Sequence, residues 1–261
     1  MSTTTLAAPI RMDGTRANTR PGLGRLVAVE LRKMADTRAG FWLLAGVVAT
    51  TIVAAVVRAL VGDAGDHDFQ SMMSVALQPA AVMLPVVGIL LVTSEWSQRT
   101  GQITFTLVPL RSRVVVAKLL AGVVLGVAAL LLCLAVAAPA TALAGAGLEG
   151  AWSYSPALLG QAAVYLVTGM ITGVAFGAAL LASAPAIVVY FTAPFALAAV
   201  VSLSFFAGVA PWVDTVRAIG PMVDEVLSAT QWAHAGTALA LWMLLPLLVG
   251  AYRITRREIS A

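Results

Sequence analysis

The sequence predicts an all-α integral membrane protein. It has six transmembrane helices, an interfacial amphipathic helix ahead of the first, and a re-entrant outer helical pair between spans five and six. Three observations carry this reading. Hydrophobic residues make up 60% of the chain and charged ones only 11%, with a mean hydropathy of +0.94, whereas soluble domains average roughly 25% charged residues. Six apolar runs reach the about 20 residues that a helix needs to cross a bilayer. The basic residues between those runs gather on one side, which sets orientation.

Residues 1–22, rich in Thr, Arg, Asn, Pro and Gly, read as a disordered cytoplasmic tail. The first forty residues are too polar and too long to be the n-region of a cleaved signal peptide. Residues 23–40 change character. Leu23, Leu26, Val27, Leu31 and Met34 recur at helical spacing on one stripe, with Arg25, Arg32 and Asp36 opposite. A basic amphipathic helix just before a span lies in the membrane interface. Glu30 falls inside the apolar stripe, a costly place for a carboxylate unless a cation meets it. Lys33 and a tertiary partner are both candidates.

The spans follow over 41–61, 72–93, 116–142, 157–182, 185–207 and 234–252, so the transmembrane domain covers 41–252 and leaves 253–261 as a cytoplasmic C-terminus. Pro79, Pro85 and Pro194 lie within spans, where they kink helices and free carbonyls for neighbours. Gly169, Gly173 and Gly177 recur every fourth residue and share one face of span four; Gly122 and Gly126 do the same in span three. Such faces let helix backbones approach closely, here for packing within one subunit. Between spans five and six, 208–233 is neither a tight turn nor a span. Pro211, Trp212, Val213, Val216 and Ile219 make a short apolar face, Gly220-Pro221 breaks it, and Met222 to Leu227 resumes. Two short helices dipping into the outer membrane surface fit this pattern, with Trp212 and Trp232 at the interface.

Orientation follows from counting Lys and Arg. Seven precede span one, four lie in 93–118, and Arg253, Arg256 and Arg257 follow span six, so fourteen of sixteen are on one side. Arg58 and Arg217 are on the other, with Asp63, Asp66, Asp68, Glu149, Asp214, Asp224 and Glu225. Both termini are therefore cytoplasmic. Arg58, near the outer end of span one, can snorkel beside Asp63. The surplus of positive charge is a topology signal and not a nucleic-acid footprint. Fourteen of the sixteen basic residues are Arg and Ala is abundant, which points to a GC-rich bacterial genome; the expected location is the plasma membrane.

Several function classes drop out. Cys133 is the single cysteine, and His67 and His234 are far apart, so no disulfide or cysteine metal cluster forms within the chain. The middle of every span is free of Asp, Glu, Lys and His, unlike ion-coupled pumps. Neither Lys33 nor Lys118 has P-loop neighbours. The chain offers no catalytic group, no cofactor site and no energy source of its own. Sparse charge along the spans favours an amphipathic or hydrophobic cargo. The aromatic and methionine residues are spread too thinly along the sequence to mark a pocket.

The polar stretch between spans two and three, 93–118, is cytoplasmic surface. Glu95 and Arg99 are spaced i, i+4 in the stabilising order. Gly101 permits a change of direction, and Pro109 ends any helix over 102–108. Lys118 re-enters the membrane edge with its stem buried and its ammonium in water. Taken alone, these features fit a loop that only sets topology.

Three stretches carry a family resemblance: VAVELRKMADTRAGFW before span one, SEWSQRTGQITFTLVPLRSRVVVAKLLAG between spans two and three, and YRITRREI at the end. In this order around six spans, the chain resembles permeases of the type-2 exporter family of ATP-binding-cassette (ABC) transporters. The resemblance implies a dimer of two permeases, this chain with a second copy or homologue, working with two copies of an ABC ATPase subunit that hydrolyses the ATP. It implies that the loop after span two docks on the ATPase through a short coupling helix, placing Glu95, Arg99, Gly101, Thr104 and Pro109 in that loop and Glu30 and Lys33 on the interfacial helix. It also implies that the outer link between spans five and six is a broken re-entrant pair. The departure is Ser183-Ala184-Pro185, an uncharged and very short second cytoplasmic link. The alternative is a six-span scaffold or accessory protein that no ATPase drives.

Overall fold

A computed structural model describes residues 22–97 and 111–256. Helix α1 covers Leu23–Asp36 and α2 Arg38–Val61, separated by Thr37, whose extended backbone ends one helix and whose hydroxyl caps the next by accepting from the Gly40 amide at 3.2 Å. Helices α3 (Phe69–Ser97), α4 (Arg111–Ala144), α5 (Pro156–Leu180) and α6 (Ser183–Val201) follow. After α6 come a 3-10 turn at Ser204–Phe206, the short helices α7 (Ala210–Val213) and α8 (Thr215–Ile219), and a second 3-10 turn at Gly220–Val223. Helix α9 (Ala229–Leu239) runs through a π-helical turn at Ala240–Leu244 into α10 (Leu245–Arg256). No strand occurs among the described residues.

Among the described residues, six helical segments are long and apolar enough to cross a membrane: α2, α3, α4, α5, α6, and the α9–α10 run from Ala229 to Ile254. Helices α3 and α5 form the centre, with Met72, Met73, Leu77, Val87 and Leu91 buried against Leu166, Met170 and Val174. The outer faces are apolar too. Val53 and Val57 of α2, Val188 and Phe195 of α6, and Leu245 and Leu248 of α10 are exposed, in keeping with a surface that meets hydrocarbon. Apolar burial gives little drive to helix association in such a setting, so close approach must supply it.

Gly173 shows how. A Cβ there would overlap the Pro85 carbonyl, and one at Gly177 would lie 2.9 Å from the Ile89 oxygen. The two glycines thus let α5 meet the α3 backbone directly. Gly169, on the same face, would reach only Pro85 Cγ at 4.0 Å and is not needed for the approach. A second seam joins α4 to α5, where a Cβ at Gly126 would sit 2.9 Å from Val167 Cα.

The end of the fifth span and the start of the sixth differ most from the sequence reading. The fifth span stops at Val201, not 207, because the chain turns at Ser202 and continues into the 3-10 turn. The sixth begins at Ala229, not 234, because Ser228 and Gln231 form a reciprocal capping box that starts the helix a turn earlier. Arg58 pairs with Asp66 at 3.1 Å in place of Asp63. Except for Gly22, the tail over 1–22 lies outside the described residues.

The segment after α6 folds back onto the bundle. Gln161 of α5, 2% exposed, donates to the carbonyls of Met222 (3.1 Å) and Glu225 (2.7 Å) and accepts from the Leu227 amide at 2.9 Å. Gln70 donates to the Asp224 carbonyl at 3.0 Å, and Ser74 bonds its carboxylate. Trp242, in the π-helical turn, donates to the Val213 carbonyl at 2.9 Å. This cap closes one end of the bundle; α1 and the departure points of 98–110 mark the other.

Candidate functional site

Four charged side chains meet where α1 crosses the bundle. Glu30 is turned inward by the apolar stripe it interrupts. Glu95 stands near the end of α3, and Lys118 near the start of α4. The Lys33 ammonium donates to Glu30 Oε1 at 2.8 Å and to Glu95 Oε1 at 2.6 Å. Lys118 donates to Glu30 Oε2 at 2.6 Å and to the Leu91 carbonyl at 2.9 Å, and pairs with Glu95 Oε1 at 3.3 Å. The order Lys33–Glu30–Lys118–Glu95 closes a ring of alternating charge with zero net charge.

The buried lysine of the ring is satisfied. A lysine ammonium has three N–H donors, and Lys118 has three partners. The side chains of Glu30, Glu95 and Lys118 are 5%, 7% and 6% exposed, against 36% for Lys33. Burial by itself would depress the Lys33 pKa, but the hydrogen bonds and charges of Glu30 and Glu95 outweigh it and hold the ammonium above its ordinary range.

The sequence reading put the Lys118 ammonium in water and paired Glu95 with Arg99. In the structure Lys118 is buried between two carboxylates, which replace the hydration it gives up, and Glu95 turns inward to the two lysines. Arg99, Gly101, Thr104 and Pro109 lie outside the described residues. Glu30 has both of the partners considered for it, Lys33 in its own helix and a tertiary one. That the tertiary partner is Lys118 had no sequence signal, because the two are 88 residues apart.

The ring joins three elements at one point. Glu95 and Lys118 lie on the two sides of the 98–110 stretch, and both are anchored to α1. Nearby, Thr93 and Ser183 hydroxyls lie 2.8 Å apart, tying α3 to the start of α6, and Arg253 of α10 donates to the Ala179 carbonyl at the end of α5. The ring lacks a nucleophile or a free base. Its chemistry is positional: it ties α1, the end of α3 and the start of α4 together.

A second feature lies under the cap. A cavity of about 400 Å³ opens between α3, α5, α6 and the segment 215–223. Its wall includes Tyr165, Phe176, Tyr190, Phe191, Phe195 and Trp242. The aromatic residues that looked too scattered to define a pocket converge here. Phe176 stacks on Trp242 with centroids 6.4 Å apart and meets Tyr190 edge-on at 5.6 Å. No family model matches this chain, and no curated protein matches it.

Proposed function

We propose that the chain is the transmembrane permease subunit of an ATP-driven exporter of the ABC type-2 kind. It works in the bacterial plasma membrane with both termini in the cytoplasm. It pairs with a second permease copy or homologue and with two ATPase subunits, and it moves an amphipathic or hydrophobic substrate. In this reading α1 lies in the cytoplasmic interface, 98–110 docks on the ATPase, and 202–228 forms the outer re-entrant pair.

The observation that carries the proposal is the buried ring. A membrane domain without an energy source must take motion from a partner, and a flexible loop would absorb that motion. Here both sides of the 98–110 stretch are held by buried charges to α1, so displacement of that stretch passes into α3 and α4 together. A loop that only set topology would have no need of two buried carboxylates beneath it. The resemblance of the flanking motifs supports the same reading.

The test is purification of the native complex followed by two substitutions in the loop, Arg99→Ala and Gly101→Pro. In this reading Arg99 serves the contact with the partner and not the packing of the bundle, so permease abundance and insertion should stay normal for Arg99→Ala. A charged group desolvated at a subunit interface costs several times more than an exposed one when its partner is removed. The expected outcome is lost assembly with the ATPase, or lost transport-stimulated ATP hydrolysis. A native complex with no ATPase, or both variants assembling and transporting as wild type does, overturns the proposal and leaves the scaffold reading.

A further inference from the structure

The cavity under the cap has a combination of features that lipid packing does not account for. Its volume of about 400 Å³ falls within the ~300–1,000 Å³ of small-molecule pockets, which are mostly apolar with a few placed polar groups. Among the described residues, the wall contains no Asp, Glu, Lys, Arg or His. Its polar members include Gln78, Tyr165 and Tyr190, and none of the three side chains makes a hydrogen bond among the described residues. Thr168 and Thr172 already donate to carbonyls of their own helix, at 2.6 and 2.7 Å, so they offer the cavity only acceptor lone pairs.

Depth makes the unpaired groups informative. Gln78 is nine residues past Phe69, the first residue of α3, hence about 14 Å along the helix axis. That is within the membrane-spanning stretch Phe69–Glu95, one helical turn beyond Ser74. An amide or phenol without a partner there costs free energy that water cannot offset. A partner of matching chemistry must bring a carbonyl or hydroxyl, no charge, and a surface that the aromatic wall can stack on. The cap covers one end through Thr215, Val216 and Ile219, while Val82 of α3 and Phe195 of α6 line the wall and are 54% and 66% exposed on the apolar outer surface. The open side therefore faces the bilayer.

We infer that this cavity is a binding site for an uncharged, ring-bearing lipophile carrying a carbonyl or hydroxyl, which enters sideways from the membrane. Gln78, Tyr165 and Tyr190 hold the polar group, and Phe176 and Trp242 take the ring. As a binding site it is independent of the exporter reading; as the substrate's site it rests on that reading.

The test uses the full chain in phospholipid nanodiscs without any ATPase. Benzophenone, neutral with one carbonyl, is photo-crosslinked and the labelled peptides are mapped by mass spectrometry. Its 4-carboxylate and 4-trimethylammoniomethyl derivatives serve as charged counterparts. Saturable labelling is expected on peptides containing Thr168–Phe176 and Tyr190–Phe195, with the charged probes at least about tenfold weaker. Gly169→Leu puts bulk into the cavity at a position where a Cβ meets nothing closer than 4.0 Å, so it should abolish the saturable fraction. Gln78→Leu alters an exposed position and leaves the fold intact; it should weaken saturation about fivefold, the worth of one hydrogen bond. Labelling spread over Val53, Val57 and Leu131 on the outer surface, equal labelling by the charged probes, or saturation unchanged in both variants overturns the site. Those failures leave the exporter proposal standing, and a complex without ATPase leaves the site standing.

Discussion

Replacing Lys118 by Met tests whether the charge ring acts as a unit. The substitution nearly conserves volume but removes three donors at once: those to Glu30 at 2.6 Å, to the Leu91 carbonyl at 2.9 Å and to Glu95 at 3.3 Å. Two carboxylates, 5% and 7% exposed, are left to share Lys33. Removing one partner from a buried ion pair costs about 3–5 kcal/mol, because the remaining charge is uncompensated. At about 2–4 °C per kcal/mol for a domain of this size, the midpoint should fall by about 6–20 °C. The assay is thermal unfolding in nanodiscs followed by intrinsic tryptophan fluorescence. Adding Glu30→Gln to Lys118→Met restores charge balance around Lys33 and Glu95 and should recover at least half of the loss. Arg32→Ala, which removes an exposed pair with Asp36, is the control and should shift the midpoint by at most a few degrees. A fall below about 2 °C for Lys118→Met, or additive losses in the double variant, would refute the coupled ring.

Gly173→Leu should sharply reduce folded yield in size-exclusion chromatography, because the Pro85 carbonyl occupies the space of its Cβ, whereas Gly169→Leu should fold normally. The Lys33 contribution has a defined pH window. Its pKa is raised from 10.5, so the stability it adds is complete below that value and is lost as pH climbs through the higher folded-state value. A melting series from pH 7 to 12 should show an alkaline loss that Lys33→Met removes. Cysteines replacing Ser2, and separately Ala261, should react with an impermeant maleimide only after cells are permeabilised; labelling of either in intact cells contradicts the orientation.

Much of the bundle was legible because a spanning helix announces itself as a long apolar run, and no tertiary information is needed to see it. Its ends were less so. Leu203, Phe205 and Phe206 are as apolar as the helix before them, so composition carried the fifth span past its true end at Val201. Glu30 was readable as misplaced, since one carboxylate in an apolar stripe demands a cation. Lys118 was not, because an ammonium at the start of a span looks the same whether it reaches for water or for a buried carboxylate. The repeat of Gly169, Gly173 and Gly177 marked the right face but could not show that only the last two touch the α3 backbone. The cavity left no local signal at all. Its aromatic residues come from α5, α6 and the π-helical turn, and they share a wall only once those helices have packed.

The ring also imposes an order on how the protein is made. Lys33 follows Glu30 by three residues and can pair with it as soon as α1 forms, whereas Glu95 arrives 62 residues after Lys33 and Lys118 arrives 88 after Glu30. Chains are built from the N-terminus at about 5–20 residues per second. For at least about a second, then, the nascent chain holds two carboxylates and one ammonium, and the first two spans stay incompletely matched until the third is threaded in. A fragment ending before residue 111 never closes the ring. Its two inward carboxylates, Glu30 and Glu95, are left with Lys33 alone.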